Sequence, residues 1–235
     1  MRCLTIQIHA LNEEKYISKM VKKLIPVVRR ELDRFEIMLV NDGSTDRTGE
    51  IMDFLASEYP EVWVIHNSER LSQGGCVRNA IKAANFDYIM SLGGDNAVNV
   101  KSLVSIFKAM DVADMVISYR TNQGESRSLS RFILSRFYHF FLFMILGLKV
   151  KDPHGVVLYP IPVLRSLNLQ LFGYGYATEL LVKLQRRGIS FVEVPVMLNT
   201  DNPQPSRAIR LEVLVDLIKT IWHLLKDKRV KSNTE

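Results

Sequence analysis

Two cysteines, Cys3 and Cys76, are all that this 235-residue chain contains, too few for a disulfide framework and without the paired spacing of metal ligands. Thiols with nothing to staple suit a reducing compartment, and the expected location is the cytoplasm. Long apolar runs are also missing. The strongest, Phe137 to Leu148, covers about 12 residues, against the roughly 20 that a spanning helix needs. The first apolar stretch, Cys3 to Ile8, is too short for a secretory leader and runs straight into polar residues, so no signal peptide is expected. There is no internal repeat, no low-complexity tract, and no zinc-finger or RNA-binding signature. No nucleic-acid partner is therefore expected.

What is present is ordinary for a packed core: hydrophobic residues make up 47% and charged residues 24%. The length fits one α/β domain with an appendage, divided here into residues 1–200 and 201–235. A net charge of +6 suits an anionic partner, with acidic lipid and sugar nucleotide ahead of nucleic acid.

Three short apolar runs carry the argument. Ile37 to Val40 ends in Asn41-Asp42-Gly43-Ser44-Thr45-Asp46, Cys3 to Ile8 in His9-Ala10-Leu11-Asn12-Glu13-Glu14, and Tyr88 to Leu92 in Gly93-Gly94-Asp95-Asn96. Each is followed by a helical pattern. Strands that end in polar clusters and alternate with helices predict a mostly parallel sheet covered on both faces. Right-handed crossovers would bring the three clusters to one edge, where such sheets bind ligands. Taken singly, each cluster also fits an ordinary strand-to-helix turn. Asn12 is expected to cap a helix from Glu13 to Leu32, bent at Pro26, and Ser44 or Thr45 the next, from Asp46 to Tyr59. Leu71 to Gly75 reads as a flexible loop before a helix from Cys76, and Val100 to Met110 as another helix.

The second half is less regular. Ser126 to Leu148 predicts one long helix, basic at Arg127, Arg131 and Arg136 and then apolar on all sides. It fits a core helix or one lying in a membrane interface. Val156 to Tyr159 and Phe191 to Val194 read as strands, the latter ended by Pro195. Tyr176 to Arg187 reads as a helix stopped by Gly188. The last helix, Ser206 to Asp227, has an apolar stripe followed by lysines. It suits packing on its own domain, a second copy of the chain in a homo-oligomer, or peripheral membrane contact.

These segments in this order resemble glycosyltransferase family 2, in particular its dolichyl-phosphate mannosyltransferase-like branch. The resemblance covers residues 3 to 196 and rests on Ala10 to Glu14, Val40 to Asp46, Gly74 to Ala80, Gly93-Gly94-Asp95, Arg131 with Ser135, Asp152 to Tyr159, and Glu179-Leu180-Leu181 through Gly188 to Val196. It implies a GT-A-type nucleotide-sugar-binding fold with a C-terminal amphipathic helix. The implied activity is inverting transfer of a sugar from a nucleotide sugar to a polyprenyl phosphate, on the cytoplasmic face of a membrane. It implies nucleotide-sugar contacts at Ala10, Leu11, Glu13, Asp42, Arg78, Gly94 and Arg120. Contacts to the acceptor phosphate fall at Arg131, Ser135 and Arg207. Asp95 and Arg131 take the catalytic parts, with Mg²⁺ or Mn²⁺ at Asp95.

The chain departs from the family pattern at three places. Gly93 stands for the first acid of the usual Asp-x-Asp, Asn41 for an acid, and His9 for a proline. Two other functions stay open: transfer to a hydroxyl of a glycan or glycolipid, and a nucleotide-sugar-binding scaffold with a weakened metal site. A hydroxyl acceptor would need a base, whereas a phosphate monoester is already anionic.

Overall fold

A computed structural model describes residues 1–122, 140, 142–170, 173–199 and 211–228. The strands are β1 (Cys3–Ala10), β2 (Arg34–Asn41), β3 (Val62–His66), β4 (Tyr88–Gly93), β5 (Met115–Arg120), β6 (Val157–Pro160) and β7 (Phe191–Val196). They form one 7-stranded sheet in the order β3-β2-β1-β4-β6-β5-β7. β1 is parallel to β2 and β4, β2 to β3, and β5 to β7. Among the described strands, β6 alone is antiparallel to its neighbours, β4 and β5. Every other strand therefore ends at the same edge, and β6 begins there. The mostly parallel sheet expected from the sequence is borne out, and so is the convergence of the three polar clusters.

The helices are α1 (Ile17–Glu31), α2 (Thr48–Glu58), α3 (Ser72–Ala83), α4 (Val104–Lys108), α5 (Ile161–Arg165), α6 (Tyr176–Arg186) and α7 (Leu211–Lys228). They cover both sheet faces. Leu4, Ile6 and Ile8 of β1 share one core with Val21 and Leu24 of α1, Leu55 of α2 and Phe107 of α4. Val40, Ile89 and Ile117 share the other with Ala80 of α3, Leu164 of α5, Leu180 of α6, Leu142 and Leu146, and Leu224 of α7. Near-continuous apolar strands are what burial on both faces demands.

Several local expectations are corrected. α1 begins at Ile17 rather than Glu13, and Asn12 does not cap it: Asn12 lies at φ +58° and accepts a hydrogen bond from the Thr45 amide at 2.8 Å. α2 begins at Thr48, and it is Asp46, not Ser44 or Thr45, that accepts from the Thr48 amide at 2.9 Å. α3 begins at Ser72, so Gly74 and Gly75 belong to its first turns instead of a flexible loop. Gly75 serves close packing there, because a Cβ on it would lie 2.6 Å from that of Leu71. The helix expected over 100–110 divides into a 3₁₀ turn (Val100–Leu103) and α4. β7 runs through Pro195 to Val196, because it is an edge strand paired only with β5, where a missing amide costs little.

Of the long helix expected over 126–148, the described part includes helical residues 142–146. It ends in a left-handed glycine cap: Gly147 has φ +68° and its amide donates to Phe143 O at 2.9 Å. Residues 123–139 lie outside the described residues, as do 200–210, where the last helix was expected to begin.

Candidate active site

Two loops at the sheet edge are stitched together residue by residue. The Asn12 amide donates to Ser44 Oγ at 3.0 Å, the Glu13 amide to Thr48 Oγ1 at 2.8 Å, and the Glu14 amide to Asp46 Oδ2 at 3.3 Å. Glu14 returns the contact, accepting from the Arg47 amide at 3.1 Å. Burial alone would raise the pKa of Asp46, but its hydrogen bonds from Thr48 and the Glu14 amide bring it below the usual carboxylate range. The segments expected to hold the nucleotide thus form one prearranged surface.

Asp42 closes this surface on the other side. Its side chain is 5% exposed. One oxygen accepts from the Leu71 amide at 2.7 Å and Asn67 Nδ2 at 3.1 Å, and the other from the Ser72 amide at 3.0 Å. The carboxylate therefore sits at the start of α3, where backbone N–H groups lack helical partners. It fixes Ser72, which is held at φ +61°. Cys76 lies beneath; burial first, and then the nearby Asp42, push its thiol far above the ordinary value. Asn41, also at the end of β2, accepts from the Ser44 amide at 3.0 Å and meets His66 Nδ1 at 3.1 Å.

The end of β4 presses against the end of β1. The Gly94 amide donates to His9 O at 2.8 Å, and a Cβ on Gly94 would come 2.7 Å from that of Ala10. Gly94 is thus required by close approach. Ala10 O accepts from the Asp42 amide at 2.9 Å, and Leu11 follows at the bend. Asp95 accepts from the Ala97 amide at 3.1 Å. The turn after it is anchored by Asn199, whose Nδ2 donates to Asn96 O at 2.7 Å and Val98 O at 3.1 Å. Among the described residues no group of three or more His, Cys, Asp and Glu side chains could hold a metal ion. One carboxylate on the edge still fits a hard cation that takes its other ligands from phosphate and water.

At the end of β5, Arg120 and Asp152 form a buried bidentate pair, Nε to Oδ2 at 2.6 Å and a terminal nitrogen to Oδ1 at 2.8 Å, with side chains 13% and 2% exposed. Asp152 also accepts from the His154 amide at 3.1 Å. Burial raises the Asp152 pKa, yet the hydrogen bonds and charge of Arg120 outweigh it and leave the carboxyl below the usual range. Gly155 lets the chain cross β5 here, since a Cβ on it would fall 1.8 Å from Ser118 O.

The structure thus brings Ala10, Leu11, Glu13, Asp42, Gly94, Asp95 and Arg120 to one sheet edge. Arg78 stands apart: it is exposed on α3, and its guanidinium donates to the Gln170 carbonyl. Arg131, Ser135 and Arg207 lie outside the described residues. Sequence reasoning missed the roles of Asp46 and Gly155 and the pairing of Asp152 with Arg120. The only local signal was a polar Asp-Pro-His-Gly run just before β6. Glu179, which opens the Glu-Leu-Leu segment of the resemblance, is fully buried and pairs with Lys183 at 2.9 Å. It accepts from the Gln170 amide at 2.8 Å, a contact that ties α6 to the loop before it.

Comparison with known proteins agrees with this geometry. The family model for glycosyl transferase family 2 matches residues 5–158. A dolichyl-phosphate beta-glucosyltransferase, ALG5A of Trichomonas vaginalis, is 25% identical over 94% of this chain and 73% of its own length. The undecaprenyl-phosphate mannosyltransferase of Micrococcus luteus is 27% identical over 83% of each chain. Among solved structures, glucosyl-3-phosphoglycerate synthase from Mycobacterium tuberculosis with Mn²⁺, UDP and glucosyl-3-phosphoglycerate superimposes with a TM-score of 0.67. That match has 20% identity and covers 94% of this chain and 80% of the other. Its complex with phosphoglyceric acid gives 0.69 at 22% identity, over 96% and 80%. At such identity the likeness speaks for the GT-A fold alone. The family match covers well over half the sequence, and this chain belongs to glycosyl transferase family 2.

Proposed function

We propose that this enzyme is an inverting glycosyltransferase that moves a hexosyl group from a nucleotide sugar to a polyprenyl phosphate at a membrane surface. The observation that carries the acceptor class is the pairing, on one molecule, of the edge loops with an exposed apolar face. Phe140, Phe143 and Met144 are exposed, and on α7 Ile218 is 67% and Trp222 61% exposed. Both segments flank the end of α6: Gln185 donates to Gly147 O at 2.7 Å and Arg186 to Leu224 O at 2.9 Å. Lys226 stacks on Trp222, its ammonium 3.3 Å from the ring centroid. Apolar and aromatic side chains beside lysines suit an anionic lipid interface. No helix among the described residues is long and apolar enough to cross a membrane. The names of the two curated relatives support the same acceptor class.

In the reaction an oxygen of the acceptor phosphate attacks the anomeric carbon. The bond from that carbon to the donor diphosphate breaks, the nucleoside diphosphate leaves with the electron pair, and configuration inverts. No proton needs to be removed from the acceptor. Bound at Asp95, Mg²⁺ or Mn²⁺ would offset the charge that grows on the leaving diphosphate. The stitched loops of residues 11–14 and 42–48 would seat the nucleoside without reorganisation on binding. Arg120, held rigid by Asp152, would present its remaining N–H donors to phosphate. Arg131 and Ser135, one helical turn apart in the sequence, are proposed to meet the acceptor phosphate.

The test is turnover of labelled UDP-glucose and GDP-mannose by the full chain in vesicles containing undecaprenyl phosphate. A lipid-extractable product that fails to form with Asp95→Asn is expected. Product only with hydroxyl-bearing glycolipid, or none with any donor, would reject the acceptor assignment. Replacing Ile218 and Trp222 with serine should reduce sedimentation with phosphatidylglycerol vesicles. A double variant that sediments normally but has lost a wild-type dimer would assign this face to a second copy of the chain.

A further inference from the structure

Two of the departures from the family pattern, His9 and Gly93, are register partners on β1 and β4. Gln7 and Ser91, the partners two residues earlier, have their side chains hydrogen-bonded to each other, which fixes the sheet face they share. Side chains alternate along a strand, so His9 and the missing side chain of residue 93 fall on that same face. Leu4, Ile6 and Ile8 take the opposite face, in the other core.

Asp95 reaches back over the same spot. A Cβ on Gly93 would lie 3.1 Å from Asp95 Oδ1 and 3.8 Å from Oδ2. The carboxylate thus occupies the space beside residue 93 that a side chain there would enter. Neighbouring strands are about 4.8 Å apart, and the half-buried His9 stands on the adjacent strand. The imidazole and the carboxylate therefore border one small volume at the sheet edge, where the turn after Asp95 is anchored by Asn199.

We propose that His9 takes the place of the absent acid and, with Asp95, supplies the protein side of the cation site. The two departures then compensate each other: loss of a carboxylate on β4 opens the room, and the imidazole on β1 supplies a new donor. This rests on the reading above that the edge binds a nucleoside diphosphate with a divalent cation. A nitrogen–oxygen donor pair also changes which cation suits the site. Mg²⁺ strongly prefers an all-oxygen shell, whereas transition ions accept imidazole, so Mn²⁺ should be favoured over Mg²⁺.

The deciding measurement is electron spin-echo envelope modulation on the full chain with Mn²⁺ and UDP, and separately with Mn²⁺ and GDP, without sugar or acceptor. Wild type should show modulation from a directly bound imidazole nitrogen. His9→Asn should lose it and bind Mn²⁺ at least tenfold more weakly in the presence of the nucleotide. His9→Asp, an all-oxygen pair, should also lose the nitrogen signal but bind Mg²⁺ more tightly than wild type. Mn²⁺ bound with nucleotide but without nitrogen modulation in wild type would overturn the role of His9 while leaving the edge as a diphosphate site. So would an unchanged spectrum in His9→Asn. No Mn²⁺-dependent binding of either nucleotide would overturn the reading of the edge and the role of His9 with it. The wild-type spectrum alone decides should a variant fail to fold.

Discussion

Asp42 holds the loop before α3 and is proposed to serve the nucleotide as well, and its replacement separates the two roles. In Asp42→Asn the carbonyl oxygen can keep the Leu71 amide and Asn67 Nδ2, now at 2.7 and 3.1 Å, but the new NH₂ group would face the Ser72 amide, now 3.0 Å from Oδ2. One charge-assisted hydrogen bond is lost and two donors oppose each other, a cost of about 1.5–3 kcal/mol. Ser72 holds a left-handed backbone conformation at φ +61°, so the loss falls on a residue that relaxes once released. For a domain of this size the melting temperature should fall by roughly 4–10 °C. Asp42→Ala removes all three acceptor contacts and should cost ~3–5 kcal/mol, allowing for water reaching the exposed part of the loop. It should also weaken nucleoside diphosphate binding by ~1–3 kcal/mol, measured by calorimetry under conditions where the variant remains folded. The decisive assay is amide hydrogen exchange. Leu71 and Ser72 should be protected in wild type and exchange faster in Asp42→Asn, with little change at the far end of α3. Unchanged protection at both amides would show that the carboxylate does not hold this loop.

Asp152→Ala should destabilise the chain by ~3–5 kcal/mol in urea unfolding, because it strands the largely buried charge of Arg120; replacing both residues with apolar ones of similar volume should cost much less. Asp46 and Asp152 titrate below the usual carboxylate range in the folded chain, so the unfolded chain binds more protons in acid. Their stabilisation should be fully present above the unfolded value of about 3.9 and fade as pH falls through the folded values. Asp152→Asn should flatten the acid limb of a stability–pH curve. Gly155→Ala should lower the melting temperature sharply or abolish folding, because its Cβ would meet a backbone oxygen at 1.8 Å that has no rotamer with which to escape. A folded Gly155→Ala protein with wild-type stability would refute that packing.

Strand ends were legible in the sequence because an apolar run and the polar cluster that stops it are adjacent in the chain. Gly188 was similarly plain, since a positive φ, +73°, is a local demand that glycine meets, whereas the same demand at Gly147, φ +68°, went unread inside the helix expected to run to Leu148. Cap residues were less legible. Asn12 has the composition of an N-cap, but its best partner is the Thr45 amide, 33 residues away, and the helix starts four residues later than its pattern allows. α3 starts early for the same kind of reason, because the acceptor for its first amides is Asp42, on another strand.

By itself the sequence determined the alternation of strands and helices, the polar clusters that a parallel sheet gathers at one edge, and the family. All three follow from local composition and order. Tertiary structure alone decided the rest: the reversed direction of β6, the pairing of Arg120 with Asp152, the turning of Arg78 toward Gln170, and the meeting of His9 with Gly93. Each depends on how segments far apart in the chain come together. A side chain's partner across a sheet is set by which strands are neighbours, and no periodicity along one strand records that.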